Sequence, residues 1–211
     1  NAMFIIALDY LLEMAPDSPQ ASRWKSLREG IERNVRAHLW DVKRQKFIPH
    51  IYPEKSPIPE GFDELAIHYH GGTAIAIEAG LLSKDEIRTV NAQMLENVRL
   101  SGMPSIGLTL YPVYPDGFFH GGMSKAYLYQ NGGDWTWLGG RMIQQLVVKG
   151  MVEEAYAEIH PMIERVIQND GFYEWYGKGG VPSGSGNFKG SAGVLSKAIE
   201  LLRDWAEKNK S

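Results

Sequence analysis

The chain has 211 residues, enough for one substantial core, with ordinary globular shares of hydrophobic (44%) and charged (22%) residues. Acidic residues exceed basic ones, 25 to 22, with no run of like charge, so the electrostatic footprint of a nucleic-acid binder is missing. Cysteine is absent, which removes disulfides, thiol catalysis and thiolate metal sites together, and no apolar segment approaches the ~18 residues a membrane span needs.

Asn1 and Ala2 read as a cloning scar ahead of Met3, which leaves residues 3–211 as one domain. "FIIALDYLLEMA" is an amphipathic helix with Ile5, Leu8 and Leu12 on one face, stopped by Pro16. Trp24, Leu27, Ile31, Val35 and Leu39 form a second helical stripe at spacings of three and four. "KFIPHIY" is strand-like. "TAIAIEAG" predicts a short buried helix closed by Gly80. Ser83 then caps the next helix, with Glu86 as its capping-box partner and Ile87, Val90, Met94 and Val98 facing the core. The device recurs further on. "WTWLGGRMIQQLVVKG" is a helix ended by Gly150, and "VEEAYAEIHPMIERVI" follows with acids in its first turn. Pro161 is expected to kink or restart that helix. The last helix carries Ala192, Leu195, Ile199, Leu202 and Trp205 on one side.

About seven helices and few strands make an all-α fold. The links at Gly80 and Gly150 are short and force antiparallel helical hairpins, whereas residues 40–72, 99–133 and 168–190 are long links. Alternation of short and long puts all the long links at one end of the array. Long loops are usually functional, and these hold most of the tyrosines, glycines and prolines, so that end is the expected working face.

"YQNGGDWTWLGG" brings Gln130, Asn131 and Asp134 beside Trp135 and Trp137. Sugar hydroxyls need such polar groups and the apolar faces of a pyranose stack on indoles. The structural alternative makes Asp134 a helix N-cap and the tryptophans core anchors. In "DGFYEWYGKGG", Glu174 stands among Tyr173, Trp175 and Tyr176, where desolvation would prepare an acid or base, although an exposed loop glutamate is the commoner case. Asp116, in "VYPDGFFHGG", fits either ligand contact or a tight Asp-Gly turn. "GFDELAIHYHGG" offers Asp63, Glu64, His68 and His70, but no third ligand has metal-site spacing, so neither metal nor cofactor is expected. "GSGNFKG" lacks the strand and Gly-Lys-Ser/Thr of a phosphate loop; its glycines let the backbone pass close to bulky aromatics or to a ligand, and Tyr173, Trp175, Tyr176 and Phe188 of this loop are expected to line a sugar subsite by stacking.

These segments together resemble the six-hairpin glycosidases, whose domain is an (α/α)6 toroid. "YQNGGDWTW" is similar to a segment of bacterial glycogen-debranching and related α-glucosidase proteins and to the Gln-Trp-Asp signature of trehalases. "EWYGKGGVPSGSGNFKGSAGVL" resembles the C-terminal motif of that superfamily, in which the glutamate of Glu-x-Tyr is the catalytic base. The resemblance, firm from Gly71 to Trp205, implies that Glu174 is that base in an inverting enzyme acting on an oligosaccharide or glycoside. Inverting enzymes hold a second carboxylate about 6.5–9.5 Å away, and in this superfamily it lies in the first half of the toroid. The chain therefore resembles a C-terminal half-barrel, expected to be inert alone and to pair with a second copy or a missing N-terminal half. Asp63, Asp116 and Asp134 are the in-chain substitutes for the acid. Two alternatives stay open: a non-catalytic carbohydrate-binding or structural half-domain, and a sugar epimerase using His68 and His70.

Overall fold

A computed structural model describes residues 1–210. Among the described residues are seven α-helices and three short antiparallel strand pairs, so the chain is all-α. Helix α1 (Ala2–Met14) and helix α2 (Ala21–His38) form the first hairpin, with Pro16 just past the end of α1. Arg28 Nε donates to Asp9 Oδ1 at 2.7 Å across it. Ile5 and Val35 pack on Ala76, Ala79 and Leu81, which joins the root of the hairpin to the body. The predicted α2 stripe is only partly used: Val35 is buried and Leu27 is exposed. On α1, Phe4, Tyr10, Leu11 and Met14 are exposed as well.

Strands β1 (Trp40–Asp41) and β2 (Lys46–Phe47) follow as a small hairpin, so only the start of "KFIPHIY" is strand. Strand β3 (His68–Tyr69) runs into α3 (His70–Glu78), which ends at Gly80 with φ +74°. Helix α4 (Lys84–Ser101) opens with the predicted capping box: Glu86 N donates to Ser83 Oγ at 3.3 Å and Ser83 N to Glu86 Oε2 at 2.8 Å. Strand β4 (Leu110–Tyr111) pairs with β3, His68 opposite Tyr111. Helix α5 (Thr136–Val148) then leads through Gly150 into α6 (Val152–Gln168).

Pro161 lies inside α6, which runs on as one helix, so of the two expected outcomes the restart does not occur. Its ring removes one backbone donor, while buried Ile159 and Met162 on either side hold the helix against the core. Strands β5 (Trp175–Tyr176) and β6 (Pro182–Ser183) pair before α7 (Lys189–Lys208). The expected α7 stripe splits. Ser191, Leu195 and Ala198 are buried, whereas Ile199 and Trp205 stay exposed beside Tyr156 and Ile163 of α6 in an open 510 Å³ groove.

The main core draws on α3 to α7, with Ile143 and Leu146 fully buried at its centre. Helix α5 packs on α3, α6 and α7. Two glycines allow this: a Cβ on Gly139 would stand 2.6 Å from Met162 Sδ, and one on Gly140 3.0 Å from Val194 Cγ1. The three long links are joined to one another. β3 of the first pairs with β4 of the second, and Asp134 exchanges backbone hydrogen bonds of 2.9 and 2.8 Å with Tyr176 of the third. The long links therefore gather into one layer, as their alternation with short links predicts.

Candidate functional site

Within that layer, at the N-terminal ends of α3 and α5, lies a 240 Å³ pocket lined by Tyr69, Gly72, Thr109, Gln130, Trp135 and Trp137 among others. It gathers three of the residues singled out in the sequence. Gln130 is exposed. Trp135 is buried, and its indole donates to Tyr129 O at 3.2 Å. Trp137 is half-buried under the Arg141 guanidinium, 5.0 Å from the ring centroid, and Arg141 is itself paired with Glu78 at 2.6 Å. This wall is apolar and rigid, with polar groups at its edge, as a ligand pocket requires.

Glu174 lies behind the pocket and does not line it. Tyr129 connects the two: its hydroxyl lies 3.4 Å from Glu174 Oε1 and its ring meets Trp135 edge-on at 4.9 Å. Ser185 N approaches the other oxygen at 3.4 Å. Gly184 is required here, because its φ is +72° and a Cβ would stand 2.5 Å from Glu174 Oε2. Trp175 is buried with its edge toward Tyr129, Tyr173 packs toward Tyr176, and Phe188 meets Trp135 at 6.1 Å. Contrary to expectation, none of Tyr173, Trp175, Tyr176 and Phe188 lines the pocket; their rings pack on one another and on Tyr129 and Trp135 instead.

Several residues expected to touch substrate prove to have their polar atoms engaged inside the protein. Asp134 is fully buried and is not the N-cap of α5. It accepts from Ser105 Oγ at 2.7 and 2.9 Å, and Arg165 Nη1 lies 2.7 Å away, off the line of a hydrogen bond. Burial pushes its carboxyl up from the ordinary range, with Arg165 and Ser105 opposing. Arg165 also stacks on Tyr176, 4.1 Å from the ring centroid, and Tyr176 is likewise buried. Asn131 is sealed between Tyr114 and Lys125, accepting from Tyr114 N at 2.9 Å and donating to Tyr114 O at 3.0 Å. Asp116 is exposed and accepts from Ala126 N at 2.7 Å, which makes it a loop brace. Asp134 and Glu174 are neighbours through the Tyr176 pairing, but the buried aspartate faces the scaffold.

His68 and His70 serve different places. His70 is buried with Nε2 3.0 Å from Asn97 Nδ2, and burial pushes its pKa down to about 3. His68 lines a separate 860 Å³ groove against α4 with Lys46 and Asn97, and burial, then the Lys46 charge, lowers it to about 4. Both rings are therefore neutral at ordinary pH. Among the described residues no group of three or more His, Cys, Asp or Glu side chains is placed to hold a metal.

Sequence reasoning missed a cluster around Glu64. Its carboxylate receives hydrogen bonds from Tyr52 at 3.0 Å, Tyr114 at 2.8 Å and His50 Nδ1 at 2.7 Å. Burial opposes its ionisation, but the bonds from His50, Tyr114 and Tyr52 outweigh it and hold the carboxyl below its ordinary range. The Tyr114 hydroxyl also meets that of Tyr69 at 2.9 Å, which links the cluster to the pocket wall. No local signal marked His50, because its partner is fourteen residues away and set by the loop path.

No protein-family model matches the sequence, and no curated protein matches it.

Proposed function

We propose that the chain is a carbohydrate-active domain, the C-terminal part of an inverting, glucosidase-like glycoside hydrolase built on half of an (α/α)6 toroid. The observation that carries the reading is the 240 Å³ pocket, which places Trp135, Trp137 and Gln130 on one wall with Glu174 reached through Tyr129 behind it. Two indoles suit the apolar face of a pyranose, and an exposed amide suits its hydroxyls. The half-toroid is supported by the packing order, α1 on α3, α3 on α5 and α5 on α7, with a short link leaving each of the first three. In this reading Glu174 takes a proton from the attacking water by way of the Tyr129 hydroxyl, since it does not itself line the pocket. One carboxylate cannot also protonate the leaving group in an inverting mechanism.

Binding of maltose, isomaltose and trehalose, followed by tryptophan fluorescence, tests the reading. Trp137→Ala should abolish the signal. Glu174→Gln in the complete enzyme should keep binding and lower hydrolysis by about 10²–10⁴-fold. A chain that binds none of these sugars, or full turnover by Glu174→Gln, refutes it. A non-catalytic carbohydrate-binding domain is the second reading, favoured by a pocket lining that contains no carboxylate. It predicts the same binding without hydrolysis. An epimerase has less support, since His70 is buried on Asn97 and His68 faces the other groove.

A further inference from the structure

The sugar-cleft reading lacks a group to protonate a leaving oxygen. Asp116 and Asp134 are engaged as described above, and Asp63 is exposed outside the lining of the pocket. A second cavity adjoins the first. It measures 290 Å³, is lined by His50, Phe47, Thr73 and Ala76 with Asn1 and Ala2 of the N-terminus at its edge, and shares Tyr69 and Gly72 with the tryptophan pocket. Tyr69 therefore stands between two chambers, one walled by indoles and the other by an imidazole.

The His50 ring is held in one orientation. Glu64 is ionised, so its oxygens only accept, and the close contact at Nδ1 requires the proton to sit on that nitrogen. The neutral ring then keeps Nε2 as its free nitrogen, and the residue lines both this cavity and a 580 Å³ groove beside α2. Glu64 cannot drift, because Tyr52 grips it from its own loop and Tyr114 from the next. Tyr114 is buried and braced in turn by Tyr69. Half of the His50 side chain is exposed against a tenth of that of Glu64, so a ligand reaches the imidazole and not the carboxylate. A carboxylate fixing Nδ1–H so that Nε2 exchanges protons with substrate is the arrangement general acid–base chemistry uses.

We propose that His50 is the proton-transfer residue of the cleft and Glu64 its positioning residue, a proposal that rests on the sugar-cleft reading above. In hydrolysis the protonated ring gives its Nε2 proton to the glycosidic oxygen as the bond from that oxygen to the anomeric carbon breaks. Water oxygen bonds to the anomeric carbon, and its proton passes to the Tyr129 hydroxyl as that hydroxyl gives its own proton to Glu174 Oε1, 3.4 Å away. Both residues then return to their starting states by exchanging one proton with solvent.

Nitrogen-15 NMR of the imidazole in the 211-residue chain tests this, with maltose, isomaltose and trehalose as probes. His50 should show the Nδ1–H tautomer. Glu64→Leu should release it toward the Nε2–H form, while Glu64→Gln, whose amide oxygen still accepts, should retain it. Adding the sugar that shifts the Trp137 indole should also shift His50 Nε2, and it should do so less in Glu64→Leu. A freely mixed tautomer in the native protein, or a lock that survives Glu64→Leu, overturns the positioning role. If Glu64→Leu does not fold, Tyr114→Phe, which loosens the carboxylate without touching His50, must loosen the tautomer lock or the positioning role falls; Tyr52 is left in place because its hydroxyl lies 3.2 Å from His50 Nδ1. A sugar that moves Trp137 and leaves His50 unmoved overturns the catalytic role and leaves the sugar reading standing. If no probe moves Trp137, the sugar reading fails and the catalytic role fails with it, while the tautomer result still judges the dyad. Where hydrolysis is measurable, His50→Gln should slow disaccharide cleavage at least about a hundredfold. Dinitrophenyl glycosides, whose leaving group needs no acid, should be nearly unaffected.

Discussion

Glu158 on α6 carries a pH-dependent cost that grows toward alkaline pH. Its side chain lies against α4, where Asn91 Nδ2 donates to Oε1 at 2.7 Å, while Glu158 Oε2 and Asn91 Oδ1 are both buried without a partner. Burial, reinforced by the charge of Glu154 and opposed by Asn91, pushes its pKa from 4.5 up to about 7. Below the unfolded value the carboxyl is protonated in both states and costs nothing extra. As the pH rises from 4.5 to about 7 the unfolded chain ionises first and stability falls; above about 7 the folded carboxylate bears the full cost. A gap of about 2.5 pH units at about 1.4 kcal/mol each is on the order of 3 kcal/mol. Glu158→Gln removes the titration, and its amide can pair with Asn91 on both edges. The variant should match the native protein near pH 4.5 and exceed it by about 2–3 kcal/mol at pH 8.5. Urea unfolding followed by tryptophan fluorescence at fixed protein concentration reads this as a midpoint shift of about 1 M. A difference that stays flat across the range, or grows toward low pH, refutes the argument.

Arg165→Met should cost about 3–5 kcal/mol, because it leaves the Asp134 carboxylate buried without its cation. Thermal melts should show a smaller loss for the double variant Arg165→Met with Asp134→Asn than for Arg165→Met alone. Ser83→Ala removes the capping box of α4 and should lower stability by about 1 kcal/mol in the same assay, with sugar binding unchanged. Self-association is expected from the exposed apolar face of α1, with Phe4, Tyr10 and Met14, and from the groove holding Ile199 and Trp205 at the other flank. Light scattering should therefore find a dimer or larger species, and charged substitutions at Tyr10 or Trp205 should weaken it. A monomer at all concentrations speaks against the half-toroid.

The helices were legible in the sequence because their signals are local. A capping box needs only Ser83 and Glu86, a hairpin stop needs only a glycine at positive φ, and a core stripe repeats within one turn. Link lengths likewise announced which loops would gather at one end. That α6 runs on through Pro161 and that the α7 stripe splits depends on neighbours: Met162 and Ile159 hold α6 through its proline, and α5 chooses which side of α7 to cover. The site separated along the same line. That Trp137 and Gln130 share a pocket followed from their shared segment. That Asp134 and Asn131 serve the scaffold did not, because a polar side chain looks the same in sequence whether its partner is a sugar or a distant Arg165 or Tyr114. The Glu64–His50 pairing was invisible for that reason too. Hydrogen bonds between loops are set by the path of the backbone, and only tertiary structure decides which buried partner reaches a carboxylate first.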